Sequence, residues 1–490
     1  MLARVAPSSW RATRSAADRS SDYLARVNPL GRPERRRAVI AAALAPATLL
    51  LLPAPTFAHQ LAERYQAPLP LVAYVAGAAL AVAMSFVFVM LRNAPPPAPP
   101  AAARPREVPA WLRVGLRVLG LVAWVWIVVQ TFLGGSGDGD VASLFLWVYG
   151  WVGVALVSAL LGPLWSWLDP FSTLHAILAW AGGRLRLSLG EPAEYPAWLG
   201  RWPAVFGFAV IVWIELVARL EGGRSLGLFL VAYTVITVGA MAYFGRETWR
   251  ANGESFSVWF RVLGRLAPFE LDGAPAEGRV VRRPFGWGLL HSRWTPAEIV
   301  LVALATGSII FDGLTQTQVY FDGVIAQNLL GSAAIRDSIA AIVFLGGLAL
   351  VVLVAARRLG NAALGAGLLP VSVGYLVAHY LAFLLVDGQR ILAALNDPLL
   401  RGDNLLPFDL AFWEPTLFLP TAVLWSVQLA AVVGGHIVGA WAGHAALATR
   451  EGHVSASAQL PLALLMVVLT SITLWSLGQA VLIEPEVALR

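Results

Sequence analysis

The stretch SIAAIVFLGGLALVVLVAA, residues 338–356, carries no charge and is closed at once by Arg357-Arg358. At about 1.5 Å of rise per helical residue, such a stretch crosses most of a hydrocarbon core of about 30 Å. Comparable apolar blocks lie at 69–91, 112–133, 141–161, 203–221, 225–244, 296–311, 362–386, 420–447 and 459–482. Together they predict an all-α fold, a polytopic transmembrane helical bundle of ten spans. Composition agrees: 58% of the 490 residues are hydrophobic and 13% charged, about half the charge of a soluble domain. An ordinary soluble enzyme, a disordered chain and a fibrous repeat are excluded. An outer-membrane barrel is excluded too, because its segments alternate with period two and run nearer ten residues.

Residues 1–37 are polar and arginine-rich, an apolar run follows from Ala38 to Leu52, and Thr56 and Ala58 have the spacing of a signal-peptidase site. Residues 1–58 are therefore expected to be a leader and signal peptide, with 59–490 a single helical membrane domain. Cleavage would make His59 the amino terminus, where a free amine and an imidazole can chelate copper or can simply begin a loop. The chain has no cysteine and no lysine, so disulfides, thiolate metal sites and cysteine nucleophiles are ruled out. The formal charge of +6 does not point to nucleic acid. The arginines sit in alternate short loops, in the long loop 245–295, at Arg357-Arg358 and at Arg450, where they read as orientation signals. Those loops are expected to be cytoplasmic. Gly134–Asp140, Asp312–Asp337 and the loop 387–419 are acidic or neutral and are expected outside. That parity puts the mature amino terminus in the periplasm of a bacterial inner membrane. Pro95–Pro105 reads as a stiff linker, 164–181 as an interfacial or re-entrant segment broken at Asp169-Pro170, and 255–268 as an amphipathic helix on the cytoplasmic surface.

Ionisable groups inside spans are costly and mark function by default. Glu215, His379, His436 and His444 stand out. Counting from span ends brings Glu215, Asp312, His379, Asp387 and Gln428 to similar depth in the outer half of the bilayer. Such a cluster can hold a divalent metal ion that lowers the pKa of bound water, with Glu215, His379, His436 and His59 as candidate ligands. Alternatively, Glu215, Asp312, His379 and Asp387 can do general acid–base work. Each also has a structural reading, as a helix contact or a solvated span end. His436 and His444 are about 80° apart around one helix and about 12 Å apart along it, so one ion cannot take both. Phe311-Asp312-Gly313 and Phe321-Asp322-Gly323 suggest turns first and ligands second. The chain has no H-E-x-x-H, phosphate-loop or G-x-S-x-G pattern.

Ala58-His59-Gln60-Leu61, Trp213-Ile214-Glu215-Leu216-Val217, Phe311-Asp312-Gly313, Val377-Ala378-His379-Tyr380, Asp397-Pro398 with Arg401-Gly402, Gly435-His436 and Gln459-Leu460-Pro461 form a set. That set resembles a bacterial multi-pass membrane family described as fenitrothion hydrolases, over most of the chain after residue 58. The resemblance implies hydrolysis of organophosphorus triesters, an aryldialkylphosphatase-like activity releasing a nitrophenol from a lipophilic substrate drawn out of the bilayer. It highlights Glu215, Asp312, His379 and His436. It departs at His444, which is followed by Ala445 where the family pattern often has an acidic residue. The alternative is a non-enzymatic protein that handles copper or a small solute along its intramembrane histidines.

Overall fold

The computed structural model describes residues 71–92, 104–135, 141–185, 191–220, 222–327, 332–407, 415–451 and 456–477. The expected leader and signal peptide, His59 and most of the stretch Pro95–Pro105, expected as a linker, lie outside them. The fold is an all-helical bundle built from α1 (Leu71–Arg92), α2 (Ala110–Leu133), α3 (Val141–Leu160), α4 (Pro170–Arg184), α5 (Trp202–Ala218), α6 (Gly223–Phe244), α7 (Ser255–Leu263), α8 (Pro296–Thr315), α9 (Ala333–Leu359), α10 (Asn361–Val386), α11 (Thr421–Glu451) and α12 (Ala456–Leu477). Every apolar block of the sequence falls on one of these helices. Eight are long and apolar enough to cross a membrane, and α5 and α12 carry shorter apolar stretches.

The chain marks its own helix starts. Thr295 and Glu298 make a reciprocal capping box at the head of α8, with Pro296 at the first helical position. Asp169 caps α4 by accepting from the amides of Phe171 (2.9 Å) and Ser172 (3.2 Å). The break at Asp169-Pro170 is thus a helix start. α8 is buried along most of its length and packs against α9, α10 and α5. α2 and α9 turn Val118, Val122, Ile342, Val343 and Leu350 outward, an apolar exterior suited to lipid.

α10 and α11 pack through glycine. A Cβ at Gly439 would stand 2.3 Å from the Gly367 carbonyl oxygen, and one at Gly374 would stand 2.4 Å from that of Ala431. Gly435, Gly439 and Gly443 repeat every fourth residue on one face of α11, so the two backbones approach as only small residues allow.

At the opposite end of α8 from Asp312, the arginine-rich loops fold into a cap. A three-stranded antiparallel sheet joins β1 (Arg106–Glu107), β2 (Phe269–Leu271) and β3 (Arg279–Arg282) in the order β1-β3-β2. Two expectations change here, and a third is kept. The 255–268 segment does not lie on a surface: α7 is buried on all sides except Arg261, because α3, α5 and the residues 165–168 and 246–252 pack around it. Phe311-Asp312-Gly313 is no turn; it lies within α8, which continues to Thr315. Phe321-Asp322-Gly323 forms a wide π-helical turn, with Gln318 donating to Asp322 at 2.7 Å.

Candidate functional site

α5, α8 and α10 all run toward the same end of the bundle and deliver their polar residues there. The last turn of α5, Ile214–Ala218, widens to a π-helix and stops at Arg219, whose φ of 49° is left-handed. Such widened turns recur at functional positions. This one carries Glu215. Asp312 sits one turn before the end of α8, and His379 and Tyr380 lie two turns before the end of α10.

His379 Nε2 and Asp312 Oδ2 are 2.7 Å apart. Their side chains are 17% and 24% exposed, so the pair is neither sealed nor free in solvent. With a neutral imidazole, Nε2–H donates to the carboxylate, and the lone pair stays on Nδ1. Tyr380 packs edge-on against the imidazole, with ring centroids 4.6 Å apart, and its hydroxyl donates to Glu215 Oε1 at 3.4 Å. The other carboxylate oxygen of Glu215 is buried without a hydrogen-bond partner. Asp312 is close enough to act electrostatically on both Glu215 and Tyr380. The nest therefore holds two carboxylates, an imidazole and a phenol, drawn from three helices.

The other candidates take different places. Asp387 begins a short 3-10 turn after α10 and pairs with Arg390 at 3.0 Å. Gln428 donates its amide to the Ala378 carbonyl at 2.6 Å, bridging α11 to α10. His436 is fully enclosed, with Nδ1 2.7 Å from the Val432 carbonyl and Nε2 3.3 Å from the Tyr375 hydroxyl. It lies two turns, about 12 Å, along α11 from Gln428 and the level of Ala378. His444 meets the Gln459 amide at 2.6 Å. His59 lies outside the described residues. Among those residues, no three His, Asp or Glu side chains come together as a group that could hold a metal ion.

Sequence reasoning missed Tyr380. Its signal was its place directly after His379 in an otherwise apolar helix. The chain makes a defined turn around Pro398: Asp397 accepts from the amides of Arg401 (2.9 Å) and Gly402 (2.8 Å). It docks on the end of α2, where the Trp126 indole donates to the Pro398 carbonyl at 2.8 Å.

An imidazole oriented by a carboxylate is the arrangement of a general base. A second, poorly satisfied carboxylate beside it can share or relay a proton. No protein-family model, no curated protein and no solved structure matches the chain.

Proposed function

We propose that the protein is a membrane-embedded hydrolase of lipophilic organophosphorus triesters, as its resemblance to the fenitrothion hydrolases implies. His379 is the general base and Asp312 holds its tautomer. Water loses a proton to His379 Nδ1 as its oxygen bonds to phosphorus. The P–O–aryl bond then breaks, and the nitrophenolate leaves with the electron pair. The Tyr380 hydroxyl donates to the phosphoryl oxygen, and the Glu215 carboxylate takes up the proton that His379 releases. The observation that carries this reading is the 2.7 Å His379–Asp312 pair, partly exposed beside a carboxylate oxygen without a partner.

The surrounding topology belongs to the same proposal. Ten spans follow a cleaved leader in a bacterial inner membrane, with the nest toward the periplasm and the arginine cap toward the cytoplasm. The charge distribution supports it, as does the common direction of α5, α8 and α10, the fourth, sixth and eighth apolar segments. The test is nitrophenol release by detergent-purified protein, with and without chelator. His379→Ala is expected to lose about 10²–10⁴-fold in turnover, and Glu215→Gln most of it. Unchanged turnover in both variants overturns the assignment. Loss on chelation that a divalent ion reverses would replace the free base with a metal-bound hydroxide.

A further inference from the structure

The arginine cap encloses a second polar space, away from the nest. Arg250, Arg261, Arg265 and Arg283 line a cavity of about 290 Å³ together with Ser158 and Ser257. Most of this positive charge is already matched. Arg250 pairs with Asp169 and Glu247, each at 3.0 Å. Arg283 pairs with Glu270, the one acidic residue lining the cavity, at 2.5 Å. Arg265 Nη2 pairs with Glu298.

Two lining groups are left over. Arg265 is 8% exposed and Ser158 1%, yet Arg265 Nη1 and Ser158 Oγ are both buried without a hydrogen-bond partner. Buried donors without partners are rare because each forfeits its hydration for nothing. Arg261 adds a guanidinium that donates only to the carbonyls of Ala251 and Arg250. Burial, opposed by Glu298, holds the Arg265 guanidinium down to about 10. Among the described residues Arg261 has no carboxylate partner, and Arg265 has a donor to spare.

We propose that the cavity binds a phosphate-type oxyanion, whose oxygens accept from Arg265 Nη1, Arg261 and the Ser158 hydroxyl. Guanidinium forks match a tetrahedral oxyanion in both charge and shape. Two sources share that chemistry: the headgroup of an anionic phospholipid, and a phosphate-bearing solute. Ser158 lies near the end of a membrane-length helix, which puts both within reach. The proposal does not rest on the hydrolase reading, since its test measures binding alone.

The experiment uses delipidated full-length protein in detergent. Thermal unfolding is followed in inorganic phosphate against chloride at equal pH and ionic strength. In parallel, native mass spectrometry compares retention of phosphatidylglycerol with that of phosphatidylcholine. At least one of phosphate or phosphatidylglycerol is expected to bind in preference to its control, and which one does identifies the source. Arg261→Gln and Ser158→Ala should each weaken that binding, Arg261→Gln by about ten-fold, as expected for one charge-assisted hydrogen bond. Neither substitution removes a carboxylate pair, and Ser158→Ala only deletes an unpartnered hydroxyl, so a folded variant is available. No preference for either probe overturns the proposal, as does a preference that persists unchanged in both variants.

Discussion

The two ends of the bundle treat buried acids in opposite ways. At the arginine end each carboxylate is surrounded by donors. Glu298 accepts from Arg201, from Arg265 and from the Thr295 amide. Asp169 accepts from two amides, the Ser172 hydroxyl and Arg250. Glu254 accepts from the amides of Phe256 and Ser257 and from the Tyr233 hydroxyl. At the other end Glu215 has one long bond of 3.4 Å and a bare oxygen. Asp312 has the imidazole at 2.7 Å and a marginal contact to Gln316 at 3.5 Å. A saturated polar group makes a fold specific; an under-satisfied one keeps capacity for a ligand or a proton. Residue type alone does not separate the two roles, but the count of partners does.

The sharpest way to break this contrast is at Glu298. Glu298→Ala leaves two guanidiniums facing one another and removes one half of the capping box of α8. The expected cost is about 3–5 kcal/mol, read as a large fall in the unfolding temperature or in recoverable folded protein. Nitrophenol release per folded molecule should be unchanged. His379→Ala is its mirror image, with turnover lost and thermal stability nearly kept, because His379 is not sealed in the core and has one hydrogen-bond partner. If both substitutions damaged stability alike, the count of partners would carry no information about function.

The histidines extend the comparison with a smaller effect. His436 has both ring nitrogens bonded, Nδ1 within α11 and Nε2 across to Tyr375 of α10, against the glycine seam. His436→Ala opens a cavity and removes a partner from the Tyr375 hydroxyl, at an expected cost of about 2–4 kcal/mol. Unfolding temperature should fall while turnover per folded molecule holds. A loss of turnover beyond the loss of folded protein would return His436 to the site.

These contrasts also show which parts of the molecule the sequence could announce. Spans were legible because apolar blocks of membrane length leave few other solutions. Depth was legible as well, since residues counted from span ends brought Glu215, Asp312 and His379 to one level. Azimuth was not. Eight residues carry Asp387 about 80° around from His379 and about 12 Å along, past the end of α10, where Arg390 takes it. Gln428 matches in depth yet spends its amide on a backbone carbonyl. The cap was hidden for a different reason. Its pairs join Arg201 to Glu298 and Asp169 to Arg250 across 97 and 81 residues, and no local pattern encodes such partners. Arginines that read as orientation signals are also the cement of a folded layer. The glycine seam was visible as Gly435, Gly439 and Gly443 at four-residue spacing, but its partner helix was not.

The finest test of the comparison lies within the arginine end itself. Burial, followed by the charge of Asp169, pushes the Glu254 carboxyl above its ordinary value of 4.5, and the donors around it offset only part of that rise. A group that holds its proton more tightly folded than unfolded adds stability at low pH. That contribution fades as pH rises from about 4.5 through the raised folded value. Glu254→Gln cannot titrate, and it lowers stability at every pH because one acceptor oxygen is lost. The advantage of the wild type over this variant should therefore be greatest near pH 4.5 and shrink toward neutrality. Unfolding temperatures of the two proteins across that range decide it. A constant gap would mean that the donors around Glu254 fully compensate its burial. The saturated end would then be free of electrostatic strain everywhere except in the cavity beside Arg265.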